Sequence, residues 1–296
     1  MTTSTALRPS VRAAFAALID YAGLFPPAQL ALPAAQAEYA AARSGPHAWM
    51  LGRFILPAAA LPAWAGINAP LSVILDAGTE ELSRLDAMRE RNRAIEAIEV
   101  PPKLWAQGET FADAIKSLSR HVDGARAGLD VFVEIPRAAH SPQTLAQTMA
   151  AVARAGFGAK LRCGGVTSDA FPTVDEVTDF IAAANRAGVR FKATAGLHHP
   201  VRHLDGATGI SMHGFLNLLA ASALAPRVDT ETLRRIVAEE DARAFRFDDA
   251  SFAWRDERVT ADELARMRRV AFVAYGSCSF SEPVADLSAL GLLSLR

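Results

Sequence analysis

The sequence predicts a (β/α)8 barrel, on three observations. Short apolar runs alternate with amphipathic segments along the chain. There are eight such runs in a chain of 296 residues, which is enough for one large α/β domain. Polar residues gather at the C-terminal ends of those runs, where a barrel of this kind carries its chemistry.

The strands expected are "FAALIDYAG", "LGRFILP", "LSVILDAG", "AIEAIEVPP", "DVFVEIP", "GAKLRCGG", "VRFKATAG" and, as strand eight, "AFRFDDASF". Helical patterns lie between them, among them "TEELSRLDAMRERNRA", "TFADAIKSLSRHV", "SPQTLAQTMAAVARAG" and "TVDEVTDFIAAANRAG". Several start after Ser, Thr or Pro and end before Gly, as helix caps require. A doubly wound open sheet is the competing architecture, but no G-x-G-x-x-G supports a nucleotide-binding version. No linker divides the chain, so residues 1–296 read as one domain, with 276–296 as a tail packed on the barrel. The segment 201–226 is longer than one βα unit needs and is expected over the barrel mouth.

Composition narrows the function. The chain is 51% hydrophobic, with 31 Lys+Arg against 32 Asp+Glu. Such a balance does not suggest a nucleic acid or membrane partner. No apolar run is long enough for a membrane span, and the N-terminus does not read as a signal peptide. Two cysteines, Cys163 and Cys278, make neither a disulfide framework nor a metal-ligand series. The expectation is a cytoplasmic protein acting on a small molecule, with a homo-oligomer as one further expectation.

The polar residues at strand ends carry the functional reading. Strand one ends at Asp20, before the stiff "AGLFPPA" loop that suits substrate placement. Strand two carries Arg53, and strand three ends at Asp76, which would also serve as a helix cap. Strand four carries Glu96 and Glu99, and strand five ends at Glu134. Strand six carries Lys160 and Arg162, two apart and therefore on one face. Strand seven carries Lys192 and Thr194, then leads to His198, His199 and His203, with His213 beyond. Inward cations in a core strand are costly unless something pairs them. Lys160 and Lys192 should be neighbours on adjacent strands. Close ammonium groups lower each other's pKa, and burial adds to the effect. A neutral amine can attack a carbonyl and form a Schiff base, with a nearby carboxylate relaying protons. Glu134 is one strand from Lys160, and Arg162 suits a substrate carboxylate.

From about residue 130 to 202 the sequence resembles deoxyribose-phosphate aldolases, class I aldolases on a (β/α)8 barrel. "VFVEIP" resembles that family's strand ending in a Glu that organises the lysines. "ARAGFGAKLRCGG" resembles "KAGADFIKTSTG", which implies Lys160 as the Schiff-base lysine. "FKATAGLHHPVR" resembles "GFKPAGGVR", which implies Lys192 as the second, pKa-lowering lysine. The upstream "AIEAIEV" matches the strand bearing an acidic proton relay, on Glu96 with Glu99 as rival. The sequence departs from the family at Leu161-Arg162-Cys163 and at Gly196-Leu197-His198-His199. It departs again where Asp248 and Asp249 fall in the expected strand eight, since two carboxylates there would repel a substrate phosphate. The resemblance therefore implies an aldolase-like carbon–carbon lyase on a small polar carbonyl compound that is not phosphate-dependent, with no cofactor. Its catalytic residues would be Lys160, Lys192, Glu134 and Glu96. Asp20, Arg162, Thr194, His198, His199 and His213 would bind substrate. Two alternatives stay open: a metal-dependent lyase or hydrolase using Glu134, His198 or His199, and His213 around a divalent ion, and a non-catalytic barrel that binds a small anion.

Overall fold

A computed structural model describes residues 7–64, 67–76, 81, 87, 90, 94–104, 110–122, 128–137 and 142–293. The helical pattern expected at 79–94 therefore lies almost wholly outside the described residues. Eight parallel strands close into a barrel. Seven follow the expected order: β1 (Ile19–Tyr21), β2 (Leu51–Pro57), β3 (Leu71–Ile74), β4 (Ile95–Val100), β5 (Asp130–Glu134), β6 (Gly158–Arg162) and β7 (Phe191–Thr194). Two short strands, β8 (His203–Leu204) and β9 (Ser211–Met212), form a separate ribbon after β7.

Strand eight is not the expected one. "AFRFDDASF" forms β10 (Phe245–Phe247) and β11 (Ser251–Trp254), which pair antiparallel with each other and with β12 (Glu257–Thr260), outside the barrel. The Asp248 carboxylate accepts from the backbone amides of Ala250 and Ser251, and this local turn reverses the chain. The barrel closes instead through β13 (Phe272–Ser277), between β7 and β1. Asp248 and Asp249 thus stand on an outer hairpin, and the carboxylate argument against a phosphorylated substrate loses its basis. Gly276 and Ser277 occupy the end of the last strand.

Nine helices over seven residues or longer are bounded within the described residues: α1 (Pro9–Phe15), α2 (Leu32–Ser44), α3 (Phe111–Val122), α4 (Pro142–Arg154), α5 (Val174–Ala187), α6 (Phe215–Leu224), α7 (Thr230–Ala238), α8 (Ala261–Val270) and α9 (Ser281–Ala289). Caps explain several boundaries. Thr173 and Glu176 make a capping box at the start of α5, and Gly188 ends it in the left-handed conformation. Thr260 and Glu263 repeat the box on α8. The segment expected to cover the mouth splits into the β8–β9 ribbon and α6. Every residue of α6 is buried, because it packs against β13 on one side and α7, α8 and β12 on others. The expected tail begins inside β13 and continues as α9.

The outward faces of the barrel strands are apolar and pack on the helices, as in the edge contact of Phe180 with Phe191 and the stack of Phe191 on Phe272. The inward faces hold the charged residues.

Candidate active site

Lys160 and Lys192 are in register on β6 and β7, and Glu134 on β5 is in register with Lys160. All three point into the barrel and are buried. One further carboxylate organises them. Glu99 Oε1 accepts from Lys192 Nζ at 2.6 Å and from Ser72 Oγ at 2.8 Å. Glu99 Oε2 lies 2.7 Å from Lys160 Nζ. Because one carboxylate spans both ammonium groups, their nitrogens are no more than about 7.5 Å apart. Asp20 Oδ2 takes a second bond from Lys192 at 2.6 Å, while its Oδ1 accepts from the backbone amide of Arg53. Gly52 permits that approach, since a Cβ there would strike Asp20 Oδ1. Lys192 also sits 5.6 Å from the centre of the Phe132 ring, a cation–π distance.

The two lysines are held differently. Lys192 makes two aligned hydrogen bonds, to Asp20 and Glu99, and is fully buried. Lys160 is placed by charge: it lies 2.7 Å from Glu99 Oε2 and 3.3 Å from Glu134 Oε2, and Glu99 Oε2 has no aligned donor. Above Lys160, Arg162 grips Glu134 through Nε at 2.8 Å while its side chain remains 48% exposed. Three cations and three carboxylates thus balance within the barrel, with Arg162 as the outermost.

Burial raises the pKa of a carboxylate, yet Glu99 is held well below the usual range by Lys160 and Lys192, and Glu134 is lowered by Lys160 and Arg162. Burial pushes Lys192 down, but Asp20 and Glu99 outweigh it, so its pKa is raised. This corrects the expectation that two neighbouring lysines depress one another. The carboxylates between them reverse the sign for Lys192, which is a fixed cation in the free protein.

The other expected site residues are dispersed. Glu96 is half-exposed and pairs with Arg53 at 3.2 Å near the N-terminal end of the barrel, below Glu99 and where the pairing of β3 with β4 is irregular. Thr194 is in register with Arg162 and its Oγ1 faces Gly276 inside the barrel. His198 and His199 lie beyond β7 and pair with Glu282 and Asp286 on α9, at 3.3 and 2.7 Å. His213 is buried, and its Nε2–H donates to the Pro172 carbonyl. The ligand set considered for a metal does not converge, and no group of three His, Cys, Asp or Glu is arranged to hold an ion among the described residues. Ser72 was not singled out in the sequence. A hydroxyl within the apolar run "LSVIL" was the one signal for it.

His213 gives a test of its own. Burial pushes its pKa down to about 4 from 6.5. Between those values the unfolded chain binds a proton that the folded chain rejects. Stability therefore rises with pH across this window, by up to about 1.4 kcal/mol per pH unit from this residue. His213→Gln retains a donor for Pro172. Urea unfolding of the variant at several pH values should show a shallower slope between pH 4 and 6.5 than the parent protein.

No family model matches this chain, and no curated protein matches it. Among solved structures it is similar to a deoxyribose phosphate aldolase from Aeropyrum pernix, described as having a unique tetrameric structure. That similarity covers 95% of this chain and 93% of the other, at 14% identity and a TM-score of 0.48. The barrel assignment rests on the closed ring of strands itself. No helix of the described residues is long and apolar enough to cross a membrane.

Proposed function

We propose that the protein is a carbon–carbon lyase of the class I aldolase type, with Lys160 as the Schiff-base residue. The observation that carries this reading is the unequal pairing of the two lysines. Lys192 is locked by aligned bonds to Asp20 and Glu99, whereas Lys160 rests against two carboxylates without alignment. A buried charge network of this kind is weak evidence for stability and better evidence for chemistry.

The steps follow from the geometry. A carbonyl substrate enters from the C-terminal end of the barrel, under Arg162. Lys160 passes a proton to Glu99 or Glu134, and its neutral amine attacks the carbonyl carbon. The carbinolamine loses water, with one of these carboxyls returning a proton to the leaving hydroxyl. The resulting iminium draws electrons from the neighbouring C–C bond. A carboxylate removes the proton of the β-hydroxyl, that bond breaks, and an aldehyde leaves with the new C=O. The enamine left on Lys160 takes up a proton at carbon, and water hydrolyses the imine to free the second product. Lys192 stays charged throughout and keeps Glu99 oriented between proton transfers. Glu99 takes the relay role that the sequence assigned to Glu96.

The substrate class is a small, oxygen-rich carbonyl compound. Arg162 presents a half-exposed guanidinium anchored on Glu134, suited to a carboxylate or other anionic group on that substrate. Arg162→Leu should raise KM roughly tenfold or more for an anionic substrate, with little change for a neutral one, because a charge-assisted pair contributes about 1.5–3 kcal/mol. Steady-state kinetics on both substrate types check this. The reaction itself is tested by incubating the protein with small aldehydes and ketones in borohydride. Intact mass spectrometry should show one reduced adduct per chain. Carbon–carbon cleavage without any adduct, abolished by a chelator, would favour the metal-dependent alternative.

A further inference from the structure

A cavity with charged side chains in its walls lies at the end of the barrel opposite Arg162. It measures about 700 Å³ and opens between α1, α8 and the N-terminal ends of the strands. Ion pairs form one of its walls. Arg53 bonds Glu96 at 3.2 Å and Asp130 at 2.7 Å, and Arg190 takes the other oxygen of Asp130 at 2.7 Å. Those four charges cancel. Asp20 also lines the cavity, and its charge is met by Lys192.

Three more arginines face this space: Arg12, Arg268 and Arg269. None has a carboxylate partner among the described residues. Arg268 matters most. It is buried, and its guanidinium donates only to main-chain carbonyls, those of Ala14, Ala16, Phe272 and Val273. These bonds occupy four of its five N–H groups, and the carboxylate charge that acts on it is that of Asp20, which Lys192 already holds at 2.6 Å. Burial lowers its pKa to about 10, so it remains protonated at neutral pH. A buried charge whose counter-charge is shared with another cation is costly, and an anion beside it reduces that cost.

We propose that this cavity is a binding site for a small, multiply charged oxyanion, the chemistry that phosphates and dicarboxylates share. The ligand would be separated from the lysine centre by Asp20, whose side chain reaches both. Nothing in the aldolase reading requires this site.

Isothermal titration with inorganic phosphate and with malonate, at constant ionic strength, tests the proposal. Arg12 and Arg269 are exposed, so an Arg12→Ala/Arg269→Ala double variant keeps the fold. Arg162→Leu serves as the control at the other end of the barrel. The expected result is binding that persists in Arg162→Leu and is weakened about tenfold or more in the double variant. Arginine-sensitive binding of phosphate alone would assign the natural ligand to the phosphate class, and of malonate alone to the dicarboxylates. Binding lost in Arg162→Leu but retained in the double variant would place the anion at the barrel mouth and overturn the proposal. Binding of neither anion would overturn it as well.

Discussion

Lys160→Met should abolish carbon–carbon cleavage and borohydride trapping while leaving a folded protein. The loss expected is at least about a thousandfold in kcat, since no other step supplies the electron sink. Retention of the fold follows from the pairing. Without Lys160, Glu99 still accepts from Lys192 and Ser72, and Glu134 still accepts from Arg162. Glu99 Oε2 loses its close cation, while the other oxygen of Glu99 and the carboxylate of Glu134 keep donors. Methionine fills most of the vacated volume, so the loss of stability should not exceed the cost of removing one partner from a buried ion pair, about 3–5 kcal/mol. The equivalent change at Lys192 should behave differently. Lys192→Met strips Asp20 of its only ammonium partner in a fully buried position, and the variant should be strongly destabilised before activity becomes measurable. Circular dichroism melts of the two variants side by side check the contrast.

Glu99→Leu is the second large effect. Among the described residues Glu99 is the one carboxylate that touches both lysines, and its loss leaves two buried cations with Asp20 and Glu134 beside them. Breaking a buried ion pair by removing one partner costs about 3–5 kcal/mol, so unfolding by urea should show a loss of that order. Glu99→Gln should recover part of the stability, because its amide oxygen still accepts from Lys192 and Ser72. It should not recover catalysis, because an amide cannot relay a proton. The same residue fixes the sign of the acid limb. The folded pKa of Glu99 is depressed, so its stabilisation is fully present above about pH 4.5 and lost as the pH falls toward the folded value. Glu99→Gln should lack that contribution and lose less stability on acidification.

The barrel was legible because seven of its strands are short apolar runs separated by capped amphipathic helices. The eighth was misplaced for a local reason. "FRFDDASF" has the composition of a strand, but its two aspartates mark a turn, and the run is a hairpin. Nothing in "FVAYGS" separates it by composition from that hairpin. Only parallel pairing with β1 and β7 does so, and such pairing is a long-range property. The lysines were legible because cations in apolar strands are rare and their two-residue spacing fixes a face. Glu96 and Glu99 are separated by depth along the barrel, which the irregular pairing of β3 with β4 sets and the run "AIEAIEV" does not show. The charge state of Lys192 was not legible, because it depends on Asp20 and Glu99 arriving from distant segments.

Tryptic mapping of the borohydride-reduced adduct tests the central claim most directly. The account predicts that the added mass lies on the peptide containing Lys160, with the Lys192 peptide unmodified. An adduct on Lys192, or cleavage activity that persists in Lys160→Met, would contradict it.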